Sequence, residues 1–135
     1  MKFLLDNNLP PPLARALNEL SKREGHIVVH LTDKFPPSTP DIEWIKALKA
    51  EGDWVVVSQD QFKKSDLEKQ AFRRAGLTVF CLAKHWSKAS YWDKAHQIVR
   101  WWPAIIDQSE RLIGGAALRV PWQYRQPGRF EQIKG

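Results

Sequence analysis

Short, continuous apolar runs that end in polar residues recur along the chain and predict the strands of a buried sheet. Strands that are covered on both faces have such continuous apolar sequences, whereas strands with one solvent-exposed face alternate between apolar and polar residues. Four runs are predicted as strands: Lys2–Asp6, His26–Leu31, Asp53–Asp60 and Leu77–Leu82. One further short strand is expected near the C-terminus, before a basic tail.

Between these runs, apolar residues recur at the spacing of helices. Leu13 and Leu17 mark one face of a helix that begins at a run of prolines, which suit a first helical turn. Thr39 is predicted as the N-cap of the next helix, with Pro40 at its first position. The other segments are predicted as a loop at Thr32–Pro40 and helices at Asp66–Ala75 and Ser87–Ile113, the last kinked or split at Pro103.

Strands and helices therefore alternate along one expected domain, residues 1–135. This alternation predicts an α/β fold with three α/β/α layers and a mostly parallel central sheet of about four or five strands. Right-handed crossovers place the C-terminal ends of parallel strands at one edge of the sheet, where ligands of such folds bind.

Acidic residues fall at that predicted edge. Asp6 ends the first strand, Asp60 follows the third, and Asp41 and Glu43 lie in the first turn of the helix between them. Carboxylates brought together repel one another unless a cation lies between them, and Mg²⁺ or Mn²⁺ prefers such oxygen ligands. Each acid also has a structural interpretation, as a turn former or as a favourable charge at a helix N-terminus. Further candidates are Asn8, Ser58 and Asp66, which support the site or only shape turns and helix ends.

The net charge of +6 makes an acidic partner plausible, either a nucleic acid or an acidic protein. Acidic metal ligands on a basic protein favour metal-assisted cleavage of a phosphodiester. Basic side chains at Lys34, Lys63, Lys64 and Arg73 are candidates for contacts with phosphate, or for a solvated surface.

Other features of the composition indicate a cytoplasmic protein without a membrane span or signal peptide. Cys81, the single cysteine, is predicted to lie in the core, and the four histidines fit no metal-binding pattern. Seven tryptophans are unusual and indicate an aromatic core, a dimer seam or a partner surface. A core or dimer seam is favoured for one helical set: Trp92, Val99, Trp102 and Ile106.

Three segments together resemble the PIN-like nucleases, specifically a small bacterial group related to VapC-type toxins. They read "MKFLLDNNLPPPLARAL", "GHIVVHLTD" and "TPDIEWIKALKAEGDWVVVSQDQF", within roughly the first 85 residues. The resemblance implies a PIN-like fold and a metal-dependent ribonuclease, often a toxin that an antitoxin protein inhibits. By position it implies Asp6, Asp41 and Asp60 as metal ligands, Asn8, Glu43 and Ser58 as supporting residues, and Asp66 as the nearest candidate for a fourth acid. The tryptophan-rich helices (86–113) and the basic extension (116–135) lie outside it.

Two alternatives remain open at this stage. A receiver-like signalling domain would use Asp60 as phosphoryl acceptor, and Lys84 loosely matches the lysine expected after its fourth strand. It would also need a second acid next to Asp6, where this sequence has Asn7 and Asn8. A non-catalytic PIN-like module would bind RNA or a protein through its tryptophans, and a homodimer is possible.

Overall fold

A six-stranded, mostly parallel sheet forms the centre of the molecule. The computed structural model describes residues 1–59, 71, 72, 74–112 and 115–133. Its strands are Lys2–Leu5 (β1), Ile27–His30 (β2), Trp54–Ser58 (β3), Thr78–Leu82 (β4), Ala117–Val120 (β5) and Glu131–Gln132 (β6). Their spatial order is β2-β1-β3-β4-β5-β6; β1 to β5 are parallel, and β6 is antiparallel to β5. The predicted fold class is confirmed, with one strand more than the expected four or five.

Helices of the described chain cover both faces of this sheet. They are Pro11–Ser21 (α1), Leu31–Lys34 (α2), Asp41–Glu51 (α3), Lys84–Lys88 (α4) and Tyr91–Arg111 (α5), with a 3-10 turn at Lys22–Glu24. Phe3 and Leu5 of β1 share one buried cluster with α1 and α5, whereas Leu4 shares another with α3. Because successive side chains of a strand point to opposite faces, β1 is covered on both sides. This is the predicted three-layer arrangement.

The strand order creates a crevice at the C-terminal ends of β1 and β3. The chain passes from β1 to β2 on one side and then crosses back to β3 on the other. Ligands of open parallel sheets bind where the order reverses in this way. Asp6 directly follows β1, and Ser58 is the last residue of β3. Two residues predicted for the site therefore flank this crevice.

The segment between β2 and α3 differs from its prediction as a loop. It begins with α2, a single helical turn, whose first amides are capped by His30: its Nδ1 accepts a hydrogen bond from the Thr32 amide (3.1 Å). Thr39 is not the N-cap of α3, because the helix begins at Asp41 after Pro40, and the Thr39 hydroxyl donates instead to the Pro36 carbonyl (2.8 Å). Histidine is an uncommon cap, so the sequence pattern gave no signal for α2.

The helix predicted over Ser87–Ile113 is two helices, but the break is not at Pro103. Ser90 ends the gap between α4 and α5, and its hydroxyl accepts a hydrogen bond from the Asp93 amide as an N-cap (3.2 Å). Pro103 lies inside a continuous α5 and is exposed. Because its ring is on the solvent side, water can reach the carbonyl whose helical bond the proline removes.

The tryptophans divide between the core and the surface. Trp102 and Ile106 are buried, but Trp92 and Val99 are exposed, so a place in the core is wrong for these two, and the alternative of a dimer seam stays a prediction. Trp92 and Val99 are two turns apart on the outer face of α5. The buried tryptophans are Trp44, Trp54, Trp86, Trp101 and Trp102.

Three smaller predictions concern the segment before β4, Cys81 and membrane spans. Most of the predicted helix Asp66–Ala75 lies outside the described residues; 71, 72, 74 and 75 are helical. Cys81 is buried in β4, as expected (1% exposed). Among the described helices, none has the length and apolar character needed to cross a bilayer.

Candidate active site

Asp6 is fixed at the crevice between β1 and β3. The side chain is only 9% exposed. Its Oδ2 accepts a hydrogen bond from Ser58 Oγ (2.7 Å), and its Oδ1 accepts one from the Asn7 amide (2.6 Å). The Asp6 amide also donates to the Val57 carbonyl (2.9 Å), which extends the pairing of β1 with β3. The carboxylate is therefore held by the neighbouring strand as well as by its own loop.

Asn8 ties the loop after β1 to the residue that follows β3. Its Oδ1 accepts from the Gln59 amide (3.1 Å), and its carbonyl accepts from Gln59 Nε2 (2.9 Å). These two bonds span the crevice beside Asp6. The arrangement fits the predicted ordering role of Asn8.

Asp41 begins α3, and a buried tryptophan orients its side chain. Trp44, one turn further along, is fully buried and donates from Nε1 to Asp41 Oδ1 (2.9 Å). A carboxylate at this position is also stabilised by the partial positive charge of the helix N-terminus. The buried indole thus holds an exposed acid in one orientation.

Asp6 and Asp41 line the same pocket of about 150 Å³. The other polar groups that line it include Asn7, Thr32 and Thr39. Apolar walls come from Leu31, Phe35, Pro36, Pro37 and Trp44. Glu43 is exposed and is not part of this lining. Of the two acids in the first turn of α3, Asp41 is therefore the one that lines the same pocket as Asp6.

Several predicted residues lie outside the described part of the chain. They are the candidate acids Asp60 and Asp66 and the candidate phosphate contacts Lys63, Lys64 and Arg73. Asp60 follows Gln59 in the sequence. The structure therefore describes two of the three acids proposed as metal ligands.

Lys34, the remaining candidate for phosphate contact, is engaged within the fold. Its Nζ lies 3.0 Å from Glu51 Oε1 and 5.0 Å from the centre of the Trp54 ring. The hydrogen bonds from Lys34 and from Trp54 Nε1 lower the pKa of Glu51 below its usual value. These contacts give Lys34 a structural role.

His30 is a polar residue of the site region that sequence reasoning did not assign to it. The ring is 1% exposed and lies between the loop after β1 and α2. Because Nδ1 accepts from the Thr32 amide, Nε2 carries the proton and donates to the Leu9 carbonyl (2.6 Å). The Leu9 amide in turn donates to the Asp6 carbonyl (3.0 Å). His30 therefore connects the backbone of Asp6 to the pocket wall at Thr32.

Thr32, Thr39 and Trp44 were also not predicted for the site. The threonines lie in the segment predicted as a loop, and no local pattern marks their hydroxyls as part of a pocket. Trp44 had a detectable signal, because an indole three residues after Asp41 can reach its carboxylate on the same helix face.

The oxygen atoms that line the pocket are of the types that bind a hard divalent cation. Carboxylate, hydroxyl and amide oxygens line the pocket, and these are the ligands that Mg²⁺ and Mn²⁺ prefer. Within the described ranges, no three histidine, cysteine, aspartate or glutamate side chains are gathered closely enough to hold a metal ion. A complete acidic set would need a further carboxylate in addition to Asp6 and Asp41.

Comparison with known proteins gives a family for this fold and pocket. A family model described as a PIN like domain matches residues 1–84, which include β1 to β4 and both described acids. No curated protein matches the chain. PIN domains are in general nucleases and typically use divalent metals. Because the match covers more than half of the sequence, this chain belongs to the PIN-like domain family, a family of nuclease-type modules.

Proposed function

We propose that this protein is a ribonuclease that uses Mg²⁺ or Mn²⁺, and that it is the toxin of a type II toxin–antitoxin pair of the VapC type. The observation that carries the proposal is that Asp6 and Asp41, distant in sequence, line one pocket at the ligand-binding edge of the sheet. The net charge of +6 favours a polyanionic substrate such as RNA.

The proposed cation ligands are Asp6, Asp41 and Asp60. We include Asp60 as a ligand because it directly follows Gln59 in the sequence, and the Gln59 amide donates a hydrogen bond to Asn8 beside the crevice. A bound divalent cation would stabilise the negative charge that develops on the phosphoryl oxygens during cleavage. In this proposal Glu43 and Asp66 are not ligands.

The residues around the two acids prepare the pocket for a phosphodiester. Ser58 bonds one oxygen of Asp6, and Trp44 bonds one oxygen of Asp41, so both carboxylates are oriented before a ligand arrives. Such preorganisation lowers the reorganisation needed in the transition state.

Asp41→Asn and Glu43→Gln form the matched pair that tests the site. Both changes remove one negative charge from the first turn of α3, but only Asp41 lines the pocket. With Mg²⁺ or Mn²⁺, we expect Asp41→Asn to lower kcat/KM for a single-stranded RNA at least about 100-fold, because a metal ligand supplies several kcal/mol of transition-state stabilisation. Glu43→Gln should stay within about threefold of the parent, as a surface charge contributes little.

Stabilisation by Mn²⁺ provides a second measurement for the same pair. A ligand that binds only the folded state at 100 times its Kd stabilises it by about 2.7 kcal/mol, and this appears as a higher Tm. Asp41→Asn should lose most of the Mn²⁺-dependent rise in Tm, and Glu43→Gln should keep it. Equal RNA cleavage and equal Mn²⁺ response in both variants would contradict the proposed site.

The toxin role has its own test. Expression of the chain in a bacterial host should arrest growth, and Asp6→Asn should relieve the arrest while the protein still accumulates, because a conservative amide keeps the size of the side chain. A matched strain expressing Glu43→Gln should remain arrested. If the purified protein cleaves RNA but no growth defect appears, the ribonuclease assignment stands and the toxin assignment fails.

A non-catalytic RNA-binding module is the second candidate. It is favoured by the finding that the described residues contribute only two acids to the pocket. If the protein binds RNA, shows no cleavage with either metal, and Asp41→Asn changes neither property, this second function is the correct one.

A further inference from the structure

A groove on the outer face of α5 carries an aromatic and cationic surface. It has a volume of about 750 Å³, and its walls include Trp92, His96, Val99, Arg100, Tyr124 and Gln126. We call it the Trp92 groove. It lies beyond residues 1–84, so it is not part of the region that matches the PIN-like family.

Trp92 is not needed for the core. Its side chain is 78% exposed, the highest value among the large apolar residues of the described chain. The opposite face of α5 supplies the buried contacts through Ile98, Trp101 and Trp102. The rings of Tyr91 and Trp92 are nearly perpendicular, with centroids 5.5 Å apart, and most of the indole surface stays open to solvent. A flat and exposed indole is suited to stacking with a ligand.

The charge of the groove is positive. The guanidinium of Arg100 lies 4.8 Å from the centre of the Tyr124 ring, and His96 lies one turn before it on the same face. Among the described residues that line the groove there is no carboxylate. Asp107, on the same side of α5 one turn beyond the groove, is paired with Arg111 at 3.0 Å. The groove therefore complements a negatively charged ligand.

The kinds of side chain favour a nucleic acid over an acidic helix. An amphipathic helix docks its leucine-like side chains into an aliphatic groove, whereas Val99 is the one large aliphatic residue in this lining. An exposed indole, a guanidinium and the Gln126 amide are instead the groups that stack on bases, pair with phosphates and bond base edges.

The position of the groove agrees with such a ligand. β4 ends at Leu82, at the edge of the sheet where β1 and Asp6 also end, because these strands are parallel. α4 and α5 follow at once, so the Trp92 end of α5 lies near that edge. α5 and α3 cover opposite faces of the sheet, so the groove and the proposed catalytic pocket are separate surfaces that share only this edge.

We propose that the Trp92 groove binds single-stranded RNA, with a base stacked on Trp92 and a phosphate near Arg100. The choice of RNA rests on the proposed function. The binding itself does not depend on the metal site, and the two can fail separately.

Fluorescence anisotropy with a labelled, unstructured 12-nucleotide RNA in EDTA tests the groove without cleavage. We expect Trp92→Ala to raise Kd about tenfold, because one base–aromatic stack is lost. The matched control is Leu20→Ala, which removes an exposed apolar side chain (59% exposed) from α1 and should leave Kd unchanged. A duplex of the same sequence should bind more weakly and show little response to Trp92→Ala, because its bases are already stacked.

Arg100→Gln gives an independent measurement. The slope of log K against log salt should become shallower by about 0.7, the value for one phosphate contact on a single strand. If Trp92→Ala and Leu20→Ala bind the 12-mer equally, the proposal is wrong. It is equally wrong if Trp92→Ala changes only the oligomeric state in sedimentation, because the groove would then be a contact between copies of this chain. If Asp41→Asn leaves RNA cleavage unchanged while Trp92→Ala still weakens RNA binding, the proposed catalytic site is wrong and the proposed RNA-binding groove stands.

Discussion

Asp6 shows how a carboxylate is accommodated at the end of an apolar strand. Burial of a charge without partners costs several kcal/mol, but here both oxygens accept hydrogen bonds. The more informative partner is Ser58, which is 52 residues away along the chain. The sequence pattern left Ser58 open between a supporting hydrogen bond and a plain strand-end hydroxyl, and the structure shows its hydrogen bond to Asp6.

We expect Ser58→Ala to lower the free energy of unfolding by about 1.5–3 kcal/mol, since a buried hydrogen bond to a charged group is lost. Urea denaturation measures this directly. Ser87→Ala is the control: the Ser87 hydroxyl is exposed, donates to the Lys84 carbonyl (2.8 Å), and should contribute within about 0.5 kcal/mol. Equal effects of the two substitutions would show that the Asp6–Ser58 hydrogen bond contributes no more to the free energy of unfolding than an exposed one.

The sequence could not choose between Asp41 and Glu43, since both are acids in the first turn of a helix and both are favourable there. The choice depends on where α3 lies relative to β1, which is a tertiary property. The structure shows one difference between the two acids, which is that Asp41 lines the pocket with Asp6 and Glu43 does not, and our proposal of Asp41 as the ligand rests on it. The indole of Trp44 fixes the orientation of the Asp41 carboxylate.

At the scale of elements, α5 is held from its side by the segment after β5. Tyr124 and Phe130 of that segment contact the Trp101 ring, with centroids 5.1 and 5.2 Å apart. Between them, Gly128 has a φ of +95° and passes so close to α5 that a Cβ would lie 2.8 Å from the Cβ of Ala104. Only glycine allows the segment to cross the helix at this distance.

Gly128→Ala should therefore destabilise the protein more than Gly25→Ala. Both glycines have positive φ, but an added Cβ at Gly25 meets nothing within 4 Å. We expect Gly25→Ala to cost about 1 kcal/mol from backbone strain, and Gly128→Ala about 1–3 kcal/mol more from steric overlap. Thermal denaturation of both variants gives the comparison. A smaller loss for Gly128→Ala would mean that the segment does not pack on α5 as described.

Elements differ in how well the sequence predicts them. β1 and β3 were predictable because burial on both faces leaves a continuous apolar run. β6 contains two exposed residues, Glu131–Gln132, and has no apolar pattern, so its pairing with β5 could not be predicted from the sequence. α2 depends on the ring of His30, whose position is set by the loop after β1. Such elements are determined by contacts distant in sequence.

For the whole molecule, Glu51 links three elements through one carboxylate. It lies at the end of α3, accepts from Trp54 Nε1 of β3 (2.9 Å) and pairs with Lys34 of α2 (3.0 Å). These bonds lower its pKa in the folded state. A depressed carboxyl pKa stabilises the fold above the unfolded value of 4.5, and this contribution is lost as the pH falls through the folded pKa.

Glu51→Gln should therefore matter at neutral pH and not in acid. The urea midpoint of the variant should be lower than that of the parent at pH 7, and the difference should shrink progressively below about pH 4.5 as the parent's carboxylate is protonated. The side chain is 42% exposed, so the effect at pH 7 will be modest. Lys34→Met, which removes the main cause of the shift, should flatten the same pH dependence; a constant difference at all pH values would contradict this account.

The hydrogen bonding of β4 bears on how the protein can be divided for experiments. Its five residues are all buried, and it pairs with β3 on one side and with β5 on the other. A fragment cut at the family boundary would leave this apolar strand with an unprotected edge, a template for self-association. The minimal recombinant unit should therefore extend through β5, even though the match to the family model ends at residue 84.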